Sequence, residues 1–474
     1  MVVDRLGNRR THVVDRSSGS SKKPSLSSLL ACLFVLAFSL FLIGLAFQFI
    51  AIHRIHHNED NINNNKISQL AVDKKKKKPI IAYLVTITGC GEKRTGPELA
   101  ANLITQGAAV LKHSIHLAHN NNSSNSSSKY DYQMYAIIHP TAKSCAITPM
   151  KKLGYKVLLR NTPFDKSDIS TKFLRENIDG ASCCGAKEFL KLYAYTLDSD
   201  RHPLAVVLDL DSLVLRSMDD LFDVLISGGK KELVDRLPLH INNVGNTSSS
   251  SGQQQQQRET LYDRQIDALY TKDYNMINPG GEKYAGIQGG FLILRPDEEV
   301  FQEYIDLVLE GNYIEGRGWG GKYGYFYGGA QVQGICSYYF GEIHPEMGVE
   351  LNRCRVNAMA DSPRFGMNEK KWAGKCRDGR EDCEDCRKTE LRDIYSAHFT
   401  LCGKPWDCRM HSTPLCRQLH GEWFRIRKSF EESRIGGDNE ELSLLPELEG
   451  SFRPEIYHGY CRKGSGQGYL PIKI

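Results

Sequence analysis

The stretch Leu204-Ala-Val-Val-Leu-Asp-Leu-Asp-Ser-Leu-Val-Leu215 decides the fold of this chain. Its apolar run predicts a strand that is buried on both faces. The strand ends in two carboxylates, Asp209 and Asp211, and period-two alternation would place both on the same face. Because ligands bind at the carboxyl ends of strands in open α/β sheets, this pattern predicts a ligand site there. An Asp-x-Asp triplet by itself is also ordinary turn chemistry.

A divalent cation would explain why two carboxylates follow a buried strand. Like charges repel each other and are costly to desolvate unless a cation lies between them. Hard oxygen ligands suit Mg²⁺ or Mn²⁺, and either ion would in turn hold a diphosphate. The pattern therefore indicates a metal-dependent site for a phosphorylated ligand.

Strands and helices alternate on both sides of this stretch. We predict strands at about 79–88, 131–138, 155–159, 204–208 and 290–294, and helices at about 98–118, 186–198 and 296–309. Such alternation is typical of an α/β fold with a mostly parallel sheet covered by helices. The turn at 89–96 has the position of a phosphate-binding loop, but its spacing fits neither glycine-rich motif and favours a plain connection.

The N-terminal region predicts a membrane anchor. Residues 29–52 run for 24 positions without a charge, and as a helix they would reach about 36 Å, enough to cross a bilayer core of about 30 Å. The run is too long for a cleaved signal peptide. Basic residues concentrate in the tail at 1–28, which predicts a cytoplasmic N-terminus, a stem at 53–78 and a lumenal body beyond it.

Two further features fit a lumenal body. Thirteen of the 14 cysteines follow the predicted anchor, a usage that suits an oxidising compartment. Because thirteen is odd, at least one thiol must stay outside intrachain disulfides. Acceptor triplets for N-glycosylation stand at Asn121, Asn122, Asn125 and Asn246.

The net charge of +5 does not indicate a nucleic-acid-binding protein. Residues 1–28 and the lysine run at 74–78 together contribute +9, which leaves about −4 for the rest of the chain. No basic face therefore remains for a phosphate backbone.

We predict one catalytic domain at 79–435 with two insertions, followed by a C-terminal extension at 436–474. The Asn/Ser/Gln-rich residues at about 244–258 predict a disordered surface loop. The insertion at about 341–394 contains one Cys-x2-Cys pair, Cys383 and Cys386, which could hold zinc. Zinc sites usually use two such pairs, so disulfides that tie this insertion to the catalytic core are favoured.

Three regions, taken in order, resemble glycosyltransferase family 8, the glycogenin-like enzymes. Within residues 189–223, FLKLYAYTL, VVLDLDSLVL and SMDDLFD resemble the family's T-K-L helix, D-A-D-T metal motif and D-D-L-F continuation. Residues 286–294 (GIQGGFLIL) resemble its N-S/A-G-V-F-V strand, and residues 398–406 (HFTLCGKPW) resemble its H-F-x-G-x-x-K-P-W segment. The resemblance covers about residues 80–428 and implies a GT-A-type nucleotide-diphospho-sugar transferase fold, with a mixed, mainly parallel sheet flanked by helices.

The resemblance implies roles for the matched positions. Asp209, Asp211 and His398 would be the metal ligands, and the imidazole favours Mn²⁺ over Mg²⁺. Lys404 would neutralise the leaving nucleoside diphosphate, and Gln333 would lie near the anomeric carbon. The remaining donor-binding positions would be Leu84, Thr86, Lys191, Gln288 and Gly403.

One carboxylate that the family commonly has is missing. The family shows D-Q-G before the helix that closes the sugar site, whereas this chain has QVQG at 331–334. Val332, or Ala330 in the alternative alignment, stands where the Asp is expected, and Gln288 replaces the family's Asn. These departures leave donor and metal binding intact and put acceptor choice and turnover in question.

From these patterns we expect an Mn²⁺-dependent glycosyltransferase of the hexosyltransferase class, in the Golgi membrane rather than the endoplasmic reticulum. It would transfer a hexose, or a related sugar such as a uronic acid, from a UDP-sugar to a hydroxyl of a glycan, polysaccharide or glycoprotein. The resemblance implies retention of anomeric configuration. One alternative is a catalytically inactive transferase-fold protein that binds nucleotide-sugar or glycan, and another is a zinc protein built on the cysteines.

The aromatic residues at 319–327 would either stack on the acceptor or fill core positions.

Overall fold

Short strands rich in β-branched and aromatic residues form the centre of the molecule. The computed structural model describes residues 78–90, 97–120, 127–181, 184–240, 250–277, 284–324, 326–434, 451–464 and 468–474. The strands, numbered in chain order, are β1 (Ile80–Ile87), β2 (Asp131–Ile138), β3 (Lys156–Leu159), β4 (Ala205–Leu208), β5 (Ser212–Val214), β6 (Ala268–Asp273), β7 (Gly286–Leu294), β8 (Tyr313–Ile314), β9 (Gly318–Trp319), β10 (Tyr323–Gly324), β11 (Gly348–Glu350) and β12 (Ser396–His398).

Seven strands make one sheet in the order β11-β6-β7-β4-β1-β2-β3. The pairings of β1 with β2 and β4, of β2 with β3 and of β11 with β6 are parallel, whereas β7 runs antiparallel to β4 and β6. The predicted α/β architecture with a mixed, mainly parallel sheet is confirmed. Strands β8 to β10 form a small separate sheet, and β12 pairs with β5.

Helices cover both faces of the large sheet. The α-helices are Pro97–Asn120, Lys143–Lys152, Lys172–Asn177, Asp219–Ser227, Lys231–Val234, Ser250–Glu259, Glu298–Glu310, Val332–Tyr338, Pro414–Glu432 and Pro454–Tyr457. The 3₁₀-helices are Pro140–Ala142, Lys166–Asp168, Ile178–Gly180, Gly185–Ala194, Tyr274–Met276, Lys370–Trp372, Cys386–Lys388, Leu391–Asp393 and Pro405–Asp407, and Tyr339–Ile343 is a π-helix.

Alternate residues of β1 pack into two different cores. Ile81, Tyr83 and Val85 belong to the core that contains the apolar faces of the helices Pro97–Asn120 and Pro414–Glu432. The residues between them belong to the core beneath the helices Glu298–Glu310 and Val332–Tyr338. Burial on both faces is the reason that the strand sequence is almost continuously apolar.

The helix predicted at 186–198 is shorter and of a different type. Residues Gly185–Ala194 form a 3₁₀-helix, and the chain then turns before β4. The amide of His202 donates to the carbonyl of Asp198 at 2.8 Å within that turn. Because the chain needs these residues to reverse towards the sheet, the helix cannot extend to residue 198.

The prediction of a disordered loop at 244–258 is wrong for its second half, since residues Ser250–Glu259 form an α-helix. Glutamine has a good helix propensity, which the low-complexity pattern concealed. The C-terminal end of this helix is also anchored. Gln257 donates to the carbonyl of His240 at 2.8 Å, and Arg258 donates to the carbonyl of Leu237 at 2.9 Å.

Ten cysteines of the described regions form five disulfides, as predicted, but these bonds do not tie the insertion to the core. Both disulfides of the insertion, Cys354–Cys386 and Cys376–Cys383, join two cysteines of the insertion itself. Cys336 is a buried thiol outside these bonds. The disulfides are Cys90–Cys145, Cys354–Cys386, Cys376–Cys383, Cys402–Cys416 and Cys408–Cys461.

The C-terminal residues pack onto the same compact unit as the sheet, which spans Lys78–Ile474. Cys461 is bonded to Cys408, and Gln106 accepts hydrogen bonds from the Tyr469 hydroxyl at 2.6 Å and from the Ile472 amide at 3.0 Å. These contacts join the predicted extension to the helix Pro97–Asn120.

Several predictions lie outside the described residues. They are the tail, anchor and nearly all of the stem at 1–77, the turn residues 91–96 and the acceptor triplets at Asn121, Asn122, Asn125 and Asn246. Within the described regions, no helix has both the length and the apolar character that a membrane crossing requires.

Candidate active site

A tight turn after β4 carries the two predicted carboxylates. The strand ends at Leu208, so alternation along the strand, from which we predicted a shared face, is not what brings Asp209 and Asp211 together. The turn does this instead. The amide of Ser212 donates to the carbonyl of Asp209 at 3.1 Å, and the amide of Asp209 donates to the carbonyl of Gly290 at 3.3 Å. The second bond fixes the turn against β7.

His398 reaches this turn because of the short strand that it ends. Strand β12 runs antiparallel to β5, with His398 opposite Ser212, and the amide of His398 donates to the carbonyl of Ala358 at 3.0 Å. The Nε2 atom of His398 then lies 3.7 Å from Asp209 Oδ2 and 3.4 Å from Asp211 Oδ2.

The three side chains fit a divalent cation. One ligand atom from each of Asp209, Asp211 and His398 lies within 4.8 Å of the others. The imidazole is 3% exposed, and its Nδ1 atom has no hydrogen-bond partner among the described residues. Its Nε2 atom lies 3.0 Å from Thr400 Oγ1 and 3.4 Å from Asp211 Oδ2. Two carboxylates and an imidazole form a mixed oxygen and nitrogen donor set of the kind that transition-metal ions accept.

Gly290 leaves the room that this arrangement needs. A Cβ atom at this position would lie 2.5 Å from His398 Cε1, 2.7 Å from Asp209 Oδ2 and 2.9 Å from Gln288 Oε1. All three distances are shorter than real Cβ contacts, so only glycine lets β7 pass this close to the ligands.

Two lysines neutralise the carboxylates. Lys404 Nζ donates to Asp211 Oδ2, and Lys191 Nζ lies 2.9 Å from Asp209 Oδ1 and 3.0 Å from Glu188 Oε2. Lys191 is 5% exposed in its side chain, whereas Lys404 is 38% exposed. The buried lysine is therefore held in place by two carboxylates, and the outer one can leave its partner for a ligand.

These charges also set the protonation of the site. Burial by itself would raise the pKa of Asp211, but His398 and then Lys404 hold that pKa well below its usual range. Burial by itself would lower the pKa of His398, but Asp211 and then Asp209 raise it. Burial likewise opposes the charge of Lys191, yet Asp209 and then Glu188 raise its pKa. The site is thus a network of charged groups that stabilise one another.

The two predicted glutamines lie beside the candidate cation ligands. Gln333, on the helix Val332–Tyr338, accepts from the amide of Gly289 at 3.0 Å and donates to the carbonyl of Tyr327 at 2.7 Å. Gln288 is buried, and its Oε1 atom accepts from the amide of Gly290 at 2.5 Å. Hydrogen bonds to backbone groups hold the side-chain amides of Gln333 and Gln288 in place. These side chains therefore contribute to the shape of the site and are not free to reorient around a ligand.

A cavity of ≈ 280 Å³ opens over these groups. The structure brings seven predicted site residues to its walls, although no role predicted for them is tested by this placement. They are Lys191, Asp209, Asp211, Gln288, Gln333, His398 and Lys404.

Three predicted donor-binding residues are not among those that line the cavity. Leu84 is 1% exposed and points into the core of the Glu298–Glu310 side. Thr86 is half-buried near the end of the same strand. Gly403 has a φ of +72° and accepts at its carbonyl from His420 Nε2 at 3.1 Å, so its contribution is the turn that presents Lys404.

Seven further residues line the cavity. The sequence analysis had singled out Tyr327 and Val332, whereas it assigned no role to the other five, which are Glu188, Met276, Gly328, Gln331 and Thr400. Glu188 could have been found, since Lys191 follows it three positions later on one helix and that spacing brings side chains together. Met276 carries no such signal, because only the packing of the short helix Tyr274–Met276 brings it there.

The aromatic residues at 319–327 are divided between core and cavity. Trp319 is fully buried and Tyr323 is 7% exposed, so these two fill core positions. Tyr327 is 59% exposed and lines the cavity. A stacking surface built from the whole segment is therefore wrong.

Comparisons with known proteins assign no family. No protein-family model matches the chain, and no curated protein matches it. Mouse xyloside xylosyltransferase 1 in its apo form gives a TM-score of 0.37 at 11% identity, over 68% of this chain and 98% of that one. An active-site mutant of LgtC gives 0.36 at 11% identity, over 72% and 96%. The glycosyltransferase GlyE of Streptococcus pneumoniae TIGR4 gives 0.34 at 11% identity, over 75% and 65%. All three are glycosyltransferases, but at these scores the likeness assigns no activity to this chain.

Proposed function

We propose that this protein is a metal-dependent glycosyltransferase that moves a sugar from a UDP-sugar to a hydroxyl of a glycan, polysaccharide or glycoprotein. The observation that carries the proposal is the convergence of Asp209, Asp211 and His398 at one cavity, with Lys191 and Lys404 beside them. Two carboxylates, an imidazole and two ammonium groups suit an anionic ligand that arrives with a divalent cation. Mn²⁺ is favoured over Mg²⁺ because one of the donors is nitrogen.

The reaction exchanges one bond at the anomeric carbon for another. The bond from that carbon to the diphosphate oxygen breaks, and the oxygen keeps the electron pair. The bond to the acceptor oxygen forms, and the acceptor proton passes to the departing phosphate or to water. A bound divalent cation would supply Lewis-acid neutralisation of the diphosphate.

The residues of this chain would stabilise the charge that develops on the leaving group. Lys404 is the outer ammonium group and can exchange Asp211 for a phosphate oxygen. Lys191 stays fixed between Glu188 and Asp209 and keeps the Asp209 carboxylate in place. Fixed charges of this kind stabilise a transition state because they need no reorganisation during the reaction. Retention of anomeric configuration belongs to the proposal and rests on the family resemblance.

A second candidate is a protein that binds nucleotide-sugar or glycan without turnover. Val332 lines the cavity at the position where the resemblance expects a carboxylate, and the Gln333 amide is bonded to backbone groups on both sides. These two features favour the binding protein, whereas the intact cation and lysine set favours the enzyme.

The full-length protein in detergent separates the two candidates. It is incubated with Mn²⁺ and a panel of UDP-sugars, and released UDP is measured. The enzyme releases UDP, and both EDTA and Asp211→Asn reduce the release by about 10²-fold or more. Asp263→Asn is the matched control, because Asp263 is exposed and its φ of 58° is one that Asn tolerates. Binding of UDP-sugar without release supports the second candidate.

We also propose that the chain works in the Golgi lumen behind the anchor predicted at 29–52. The five disulfides support an oxidising compartment, since such bonds are rare in the cytosol. Protease protection of the C-terminal part in intact Golgi vesicles tests this placement.

A further inference from the structure

Glu188 is the one carboxylate, among the described residues that line the cavity, that lies outside the cation triad. It projects from the 3₁₀-helix Gly185–Ala194, and its Oε2 atom lies 3.0 Å from Lys191 Nζ. Its side chain is 17% exposed, which leaves it partly open to the cavity. A ligand in the cavity therefore meets a third negative side chain besides Asp209 and Asp211.

The lysines do not offset this third charge once a donor is bound. Lys191 is shared between Glu188 and Asp209, so that group of three keeps one negative charge. With Asp211 and Lys404 added, the side chains of the cavity carry three negative and two positive charges, and a histidine that binds a metal is neutral. A divalent cation makes the sum +1, and the diphosphate of a nucleotide-sugar brings it to −1.

We propose, on the basis of the function proposed above, that Glu188 restricts the donor to nucleotide-sugars with a neutral sugar. The carboxylate accepts hydrogen bonds from sugar hydroxyls, as the absent carboxylate at Val332 would have done. A uronic acid sugar would add a second excess negative charge to a cavity of ≈ 280 Å³. Because like charges held in one cavity repel each other, the carboxylate of the sugar would oppose binding.

Binding measurements test this without relying on turnover. Calorimetry of the full-length protein with Mn²⁺ compares UDP, UDP-glucose and UDP-glucuronic acid. For the unmodified protein we expect UDP-glucose to bind at least about tenfold more tightly than UDP-glucuronic acid. Glu188→Gln should reduce that ratio to within about threefold, because the amide keeps hydrogen-bonding capacity but loses the charge. Glu188→Asp should keep the ratio, which separates charge from shape.

The control is Glu315→Gln, since Glu315 is exposed in a turn away from the cavity. It should leave the ratio unchanged. The inference is overturned if the unmodified protein binds both donors equally, or if Glu188→Gln keeps the full ratio while its affinity for UDP is normal. Failure to bind UDP or either donor would instead remove the proposed function itself. A Glu188→Gln protein that does not fold leaves Glu188→Asp and the unmodified ratio to decide.

Discussion

The Nε2 atom of His398 lies 3.4 Å from Asp211 Oδ2, although the two residues come from strand β12 and from the turn after β4. The contact favours the protonated form of the imidazole in the absence of metal. Asp211 raises the pKa of His398 above its ordinary value of 6.5 and thereby offsets the opposing effect of burial. A proton and a metal ion therefore compete for the same nitrogen.

Metal affinity should depend on pH for this reason. Below the raised pKa of His398 the metal must displace a proton, so affinity for Mn²⁺ should increase about tenfold per pH unit and level off above that pKa. Asp211, whose pKa is lowered, stays ionised throughout and does not contribute to the slope. Calorimetric titration with Mn²⁺ between about pH 5.5 and 8 measures the effect. His398→Gln should bind weakly with no slope, and a pH-independent affinity in the unmodified protein would contradict the assignment.

Lys404→Met should reduce UDP release more than it reduces stability. The side chain is 38% exposed, and an ion pair of that exposure contributes at most about 1 kcal/mol to the free energy of unfolding. Loss of the ammonium group that meets the leaving diphosphate should lower kcat by about 10²-fold. Urea unfolding and UDP release are measured on the same preparation. A large loss of stability with normal kcat would mean that Lys404 is structural.

Lys191→Met should reduce stability more than it reduces UDP release. The substitution leaves Glu188 and Asp209 without their shared counter-charge beside an apolar core, so the free energy of unfolding should fall by about 2–4 kcal/mol. Lys187→Met, on the same helix, is the control. Lys187 is half-buried and donates to Thr141 Oγ1 at 3.2 Å, and its loss should cost less than about 1 kcal/mol. Equal effects of the two substitutions in urea unfolding would show that Lys191 is not a buried counter-charge.

Gly290→Ala should damage metal binding. The added methyl group would lie 2.5 Å from His398 Cε1 and would push the imidazole away from the carboxylates, so affinity for Mn²⁺ should fall at least about tenfold. Gly421→Ala is the control, because a Cβ atom there meets no heavy atom within 4 Å. That residue lies within the helix Pro414–Glu432, where alanine should stabilise the fold by about 0.5–1 kcal/mol. Normal Mn²⁺ affinity in Gly290→Ala would show that the ligands do not need this space.

Asp273→Asn should stabilise the protein at neutral pH but not at acidic pH. Burial and then Asp361 raise the pKa of Asp273 to about 6 from its ordinary 3.8. The contribution of this carboxyl to stability is therefore complete below its unfolded pKa and is lost as the pH rises through the folded pKa. Asparagine still accepts from the Asn275 amide and carries no charge, so it should raise the free energy of unfolding at pH 7 by up to about 3 kcal/mol.

Urea unfolding of both proteins at about pH 4 and pH 7 checks this prediction. The two proteins should be equally stable at the lower pH. A constant difference at both values would indicate a packing effect of the amide instead of a titration.

The sequence predicted elements best where a local pattern was strong. The strand at β1 and the helix that follows it were found because apolar runs and helical periodicity are properties of short segments. The helix Ser250–Glu259 was missed because serine and glutamine repeats resemble loops in composition, while the contacts of Arg258 that hold it come from a distant segment. The residues of the site were likewise predictable where they are neighbours in sequence and not where distant segments bring them together. Asp209 and Asp211 were visible as neighbours, but the nearness of Glu188 to Asp209 depends on Lys191 lying between them.

By itself, the amino-acid sequence predicted the α/β class, because apolar runs specify buried strands, and it named Asp209, Asp211 and His398 as candidate cation ligands, the histidine through the family resemblance. Only the tertiary structure decided which groups share one cavity. The antiparallel pairing of β12 with β5 sets the distance from His398 to the carboxylates, and the position of the Gly185–Ala194 helix brings Glu188 to the cavity wall. Such distances depend on how far elements lie from each other in space, and spacing along the chain does not encode them.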